Sequence, residues 1–215
     1  MYVKWIVCDV NKEKKKEFSN AQQMWEKIKF TPGFVGQMGG WNTKNSNQAC
    51  IISIWKDKLA SDYFMKKIHD EVYKESNQKQ TYNTVDISYF DTIIDISGNE
   101  NKLIKSLKTA KILRVADCLV KSDCQDNFEE VQKSVWNVGM KNAGGMLFGK
   151  FLKNKAIDNR YLVATFWDSQ YSHVSYVQNY LPELKIKSKI NEDLIQIDGK
   201  VIVLEKRWTI IPKEP

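Results

Sequence analysis

Histidine is scarce in this 215-residue chain, with only His69 and His173, and arginine nearly so: Arg114, Arg160 and Arg207 stand among 33 basic residues. No apolar run approaches the roughly 18 residues that a membrane-spanning helix needs; Ala49–Trp55 is among the longest. The opening stretch MYVKWIVCDVNKEKKKE passes from a short apolar run straight into charge and shows no cleavable signal pattern. A cytoplasmic protein is therefore expected. Cys8, Cys50, Cys118 and Cys124 have neither CxxC spacing nor neighbouring histidines, which excludes a zinc site of ordinary spacing. They read as small hydrophobes in a reducing compartment. Gly39-Gly40 and Gly144-Gly145 lack a dinucleotide or P-loop frame, and there is no serine-centred nucleophile elbow. Nucleotide enzymes and serine hydrolases of that type are set aside.

What is present is an ordinary globular balance, 42% hydrophobic, 12% aromatic and 27% charged, with a net charge of +7. A basic chain raises the question of nucleic acid, but base and phosphate recognition favour the guanidinium fork that this chain hardly uses. The densest cluster, Lys12 and Lys14–Lys16, opens a helix whose other face is apolar and reads as solvated surface. Neither a nucleic-acid nor a membrane partner is expected.

The strongest signal is internal repetition. At an offset of 110, Cys8 meets Cys118, Phe18 meets Phe128, Gln22 meets Gln132, Trp25 meets Val135 and Ile28 meets Val138. The apolar positions within each copy trace one face of an amphipathic helix. Further along the offset becomes 112, and IISIWKD (Ile51–Asp57) meets VATFWDS (Val163–Ser169).

Each copy reads in the same order. In the first, strands are expected at Tyr2–Val10, Phe34–Trp41, Gln48–Trp55 and Thr84–Ile96, with helices at Lys14–Lys29 and from an Asp57 N-cap to Tyr73. In the second, strands are expected at Lys111–Val120, Met146–Leu152, Tyr161–Trp167 and Val201–Ile211, with helices at Asn127–Lys141 and Ser169–Leu184. Asp198–Gly199 reads as a tight turn within Asn191–Lys200. The order βαββαβ is the ferredoxin-like α+β unit. The expected domains are residues 1–98 and 111–215, joined by a polar linker over 99–110. Ala49–Trp55 and Tyr161–Trp167 are apolar on both faces rather than alternating. Sheets packed face to face with helices outside, a closed α+β barrel made by one chain, would cover them, and such a barrel can hold one small ligand.

Thr31–Asp57, TPGFVGQMGGWNTKNSNQACIISIWKD, resembles the antibiotic-biosynthesis-monooxygenase-like group of the dimeric α/β-barrel superfamily. The features are P-G-F-x-G before the second strand, a hairpin, and an apolar strand ending W-K-D before a helix. The start Val3-Lys4-Trp5-Ile6 and the motif Gly39-Gly40-Trp41 also resemble a small, functionally uncharacterised bacterial family inside it. The resemblance implies a pseudo-dimer built from the fused repeat, with further association into a homodimer left open. The superfamily includes cofactor-free oxygenases and haem-degrading enzymes. The haem-degrading branch carries an Asn on strand one, a Trp on helix two and a haem-ligating His beyond it. Here those last two places fall on Phe64 and Lys74, or on Tyr176 and Ile186 in the second copy, and Tyr2–Val10 has no Asn. The triad is absent from both halves, and no cofactor is expected.

Two functions are expected from this. One is a small-molecule-binding protein with a barrel cavity, taking a small apolar or aromatic compound. The other is a cofactor-independent monooxygenase acting on such a compound. Trp5, Trp41, Trp55 and Trp167 lie on predicted strands and offer flat apolar walls with one donor each; Phe64 and Tyr176 join them through the resemblance. Each of these rings also has a plain reading as core. Polar groups able to take a substrate proton are His69, His173, Asp86, Tyr89 and Asp117. His69 and His173 are the acid–base candidates, against a reading as helix-surface residues. They do not correspond under the repeat.

Overall fold

The computed structural model describes residues 1–100 and 103–213. Their contacts divide the chain into unit 1, Met1–Phe90 with Ile202–Pro215, and unit 2, Asp91–Val201.

Unit 1 begins with β1 (Tyr2–Asp9), α1 (Lys15–Gln23) and a 3-10 segment, Met24–Phe30, where one continuous helix was expected. β2 (Phe34–Asn42) and β3 (Gln48–Trp55) follow, then α2 (Lys58–Lys67), α3 (His69–Glu75), a 3-10 turn at Gln78–Thr81 and β4 (Thr84–Ser97), whose first seven residues belong to this unit. Asp57 caps α2, its carboxylate accepting from Ala60 N at 2.9 Å. The helix expected to continue to Tyr73 is interrupted at Ile68, where φ −127° and ψ −39° leave the helical region.

Unit 2 runs α4 (Leu103–Thr109), β5 (Ile112–Val120), α5 (Gln125–Val131), a π turn at Gln132–Trp136, α6 (Asn137–Lys141), β6 (Met146–Asn154), β7 (Arg160–Trp167), α7 (Gln170–Asn179), α8 (Leu181–Ser188), α9 (Ile190–Asp193) and β8 (Leu194–Leu204). Ser169 caps α7 as Asp57 caps α2, and the helix breaks at Tyr180 as it does at Ile68. Both repeats are therefore ferredoxin-like, and the chain is α+β with two tandem βαββαβ copies.

Their correspondence extends to fine detail. Gly33 and Gly145 take φ of +76° and +80°, left-handed values that suit glycine, at the turn before the second strand of each copy. A β-bulge follows in each, between Phe34 and Gly36 and between Met146 and Phe148. β3 and β7 are buried on both faces from their second residue to their last, as their unbroken apolar runs require.

Three expectations are revised. Leu103–Thr109, inside the expected linker, is helical with Ser106 and Leu107 buried, while residues 101–102 lie outside the described residues. Neither Asp198 nor Gly199 takes the positive φ of a tight two-residue turn, so the last strand runs through them and ends at Leu204. Its end, Ile202–Leu204, pairs with Gly40–Asn42, and beyond it Gln37 and Ile210 exchange backbone hydrogen bonds of 2.9 and 2.8 Å. Unit 1 thus contains the segment after residue 201, and the division falls inside β4 and β8 rather than in 99–110.

Candidate functional site

Side chains alternate between the two faces of a strand. On β1, Lys4, Ile6 and Cys8 therefore share one face, while Trp5 projects from the other. β1 and β3 pair with Lys4 opposite Ser53, and β2 and β3 pair with Gln37 opposite the same Ser53. Directly opposed residues hold their Cβ atoms about 5 Å apart. Lys4, Ser53 and Gln37 thus form a row of three polar side chains across adjacent strands. The bulge after Phe34 is what admits Gln37 to this row, because one extra residue reverses the parity of everything that follows it.

The row is the floor of a cavity of about 300 Å³ within unit 1. Ile6, Cys8 and Ile51 extend the floor; Gln22 of α1, Trp25 of the 3-10 segment, Phe64 of α2 and His69 and Tyr73 of α3 form the wall. Gln78, Tyr82, Val85 and Ile87 complete it. The break at Ile68 brings His69 here, since it starts a new helix at a new angle. The imidazole lies between Trp25, Phe64 and Tyr73, with ring centroids 5.4, 5.8 and 5.6 Å away. Its Nδ1 is 2.9 Å from the Asp70 carboxylate, whose pKa that hydrogen bond lowers.

Polar groups of the wall are paired with one another. Trp25 Nε1 donates to Gln78 Oε1, Gln78 Nε2 donates to Gln22 Oε1 at 3.0 Å, and the Tyr73 and Tyr82 hydroxyls are 2.6 Å apart. The floor differs. Gln37 is 5% exposed and its Nε2 has no acceptor among the described residues. Lys4 is also 5% exposed, and its Nζ meets the Met65 thioether at 3.6 Å and the Tyr89 ring at 5.8 Å. No carboxylate forms an ion pair with it among the described residues. Burial lowers the Lys4 pKa from its ordinary 10.5 to about 8, against a smaller opposing effect of Cys8. The Cys8 thiol is pushed up to about 12, mainly by burial, and stays protonated.

Of the rings singled out in the sequence, Phe64 lines this cavity and Trp55 stands behind it, stacked on Phe64 at 5.0 Å. Trp41 packs instead on Phe18 and Trp208. Asp86 and Tyr89 are on β4 and do not line the cavity. In unit 2, Trp167, His173 and Tyr176 form one buried cluster: the Trp167 ring lies 5.7 Å from His173 and 4.9 Å from Tyr176. Among the described residues His173 Nε2 and Tyr176 Oη have no hydrogen-bond partner. Burial, with Arg114 adding to it, lowers the His173 pKa from 6.5 to about 4. Asp117 is held by Arg160 at 2.6 Å. Lys4, Gln37 and Ser53 were not among the candidates, and only strand register brings them together. Among the described residues, no three His, Cys, Asp or Glu side chains converge as metal ligands, and no helix is long and apolar enough to cross a membrane.

Residues 2–90, which include every cavity-lining residue, match the family model Domain of unknown function (DUF4937). The uncharacterised protein YdbC of Bacillus subtilis (strain 168) is 32% identical over 93 residues, 42% of this chain and 78% of YdbC. Among solved structures, a candidate monooxygenase from Lactobacillus acidophilus NCFM is similar at a TM-score of 0.73 and 13% identity, covering 98% of this chain and 96% of its own. A ferredoxin-fold protein of Listeria monocytogenes 4b F2365, related to antibiotic biosynthesis monooxygenases, gives 0.50 at 12% identity, covering 100% and 96%. The fold is therefore that of the monooxygenase-like α+β proteins, and the chain belongs to the family of YdbC.

Proposed function

We propose that unit 1 binds a small, planar, largely apolar molecule in the cavity above Lys4, Ser53 and Gln37. The observation that carries this reading is a cavity of about 300 Å³ whose wall is aromatic while its floor holds a buried amide without an acceptor, Gln37, and a buried ammonium, Lys4, whose hydrogen bond goes to a thioether. Ligand sites combine apolar walls with a few fixed polar groups in this way. Phe64 and Trp25 contribute to the wall and Trp55 supports it, while Trp5, Trp41 and Trp167 are assigned to packing. Titration of the whole chain with a neutral two-ring probe, 2-naphthamide, followed by tryptophan fluorescence, tests the reading. Saturable binding that Ile51→Trp abolishes by filling the cavity is the expected result. No binding by any planar aromatic would overturn it.

The alternative is cofactor-independent oxygenation, favoured by one observation: His69 sits in the aromatic wall with Asp70 on its Nδ1. A hydroquinone-type or anthrone-type substrate would lose two hydrogens and gain one oxygen atom, the other oxygen leaving as water. His69 would take the first proton. Oxygen consumption with a panel of such substrates, lost in His69→Ala, is the corresponding test.

A further inference from the structure

We infer that the floor of the unit 1 cavity is a carboxylate-binding site, and that its ligand is an aromatic or other planar apolar acid whose carboxylate lies on Lys4, Ser53 and Gln37. This rests on the cavity being a ligand site, and it names the chemistry that site selects. The three side chains occupy one row on adjacent strands and present an ammonium, a hydroxyl and an amide N–H to the same space. Lysine is almost never fully buried without a counter-charge. This chain keeps the rule elsewhere: Lys150, fully buried in unit 2, reaches the Asp95 carboxylate at 2.6 Å. Among the described residues Lys4 has no such carboxylate, only the Met65 thioether, and the neighbouring Gln37 amide lacks an acceptor. A bound carboxylate supplies both deficits together, with two oxygens for two or three donors. A neutral hydrocarbon would supply neither and would leave the ammonium without a counter-charge and the amide N–H without an acceptor.

The second copy shows what the row becomes when that function is not built. In the same register, Arg114 and Gly149 face Thr165. Thr165 Oγ1 already accepts from Trp167 Nε1 at 3.0 Å, and Gly149 has no side chain to offer. The Arg114 guanidinium sits 5.9 Å from the centre of the Tyr176 ring. The three-donor arrangement is thus particular to unit 1.

The test compares 2-naphthoate with 2-naphthamide, probes of nearly equal shape that differ in charge, by titration calorimetry on the full chain. Naphthoate is expected to bind about 30-fold more tightly, as hydrogen bonds to a charged group imply. Lys4→Met should bring the ratio close to one, and Gln37→Leu should reduce it about 5-fold. Equal binding of the two probes to the wild-type chain overturns this inference while leaving the cavity as a ligand site. An unchanged ratio in a folded Lys4→Met also overturns it. If Lys4→Met fails to fold, the wild-type ratio decides alone. If neither probe binds, the ligand-site reading falls and this inference with it.

Discussion

In unit 2, Phe151 and Tyr161 stack at 5.4 Å and pack on Phe128, joining a single cluster that runs from Cys118 and Val120 to Trp167 and Tyr176. In unit 1 the corresponding places hold Gly39 and Ala49, and two separate apolar clusters form around them. One gathers Tyr2, Phe34, Trp55 and Phe64; the other gathers Cys8, Phe18, Ala49 and Ile51 around Trp208. The cavity lies where both leave space, with Phe64 on its wall and Cys8 and Ile51 on its floor. Unit 2's groove of about 300 Å³ is elsewhere, against α6 and α8 and away from Arg114. Two copies of one topology thus use their sheet face differently: large residues from the strands fill one, while small residues and a tryptophan from beyond the last strand leave the other hollow. A filled core gains dispersion and apolar burial, whereas a hollow one forgoes part of that gain and keeps room for a ligand.

The sharpest way to break the contrast is at Trp208, fully buried with its Nε1 donating to Ser19 Oγ at 2.9 Å. Trp208→Ala is expected to cost about 4 kcal/mol, read by denaturant unfolding, with the loss confined to unit 1 by amide exchange. In unit 2, His173 is neutral when folded, with a pKa of about 4 against 6.5 unfolded. Between those values the unfolded chain holds the extra proton, so stability falls as pH drops from 6.5 towards 4, by on the order of 2 kcal/mol. The wild-type chain should lose this increment relative to His173→Leu over that window.

Lys4 follows the same sign in a higher pH window. Its folded pKa of about 8 lies below the unfolded 10.5, so at neutral pH its burial opposes folding. Lys4→Met is expected to stabilise the unliganded chain by about 1–2 kcal/mol at pH 7, and the difference from wild type should narrow as pH rises from 8 to 10.5. A smaller effect sharpens the comparison from the other side. Asp57→Ala and Ser169→Ala remove equivalent caps, which accept from Ala60 N at 2.9 Å and Ser172 N at 3.1 Å. Each should cost about 1 kcal/mol, and thermal melts of the two variants should agree.

The repeat was legible in the sequence because a buried face must recur whenever a topology recurs: Phe18 with Phe128 and Trp55 with Trp167 mark the same helix stripe and the same strand end. The doubly apolar strands announced their burial on both faces, and Asp57 announced its helix. The site was largely hidden. Lys4 and Ser53 are 49 positions apart and meet only through antiparallel register, which no local pattern encodes. Gln37 joins them through a bulge between Phe34 and Gly36, of which the one sign in the sequence is the isolated Gly36 within a strand. His69 was named as a candidate, yet its place in the wall depends on a break at Ile68 made without proline or glycine. Trp25 was noticed only as a repeat position, because a helix period does not reveal the 3-10 segment that carries it.

The position of Trp208 also bears on the order in which the molecule acquires its structure. Residues 91–201 are contiguous, so everything unit 2 contains leaves the ribosome before Trp208 does. Domains generally form during synthesis from the N-terminal side. Here the earlier half is the one that must wait, because the indole that closes its second cluster is translated after the later half is whole.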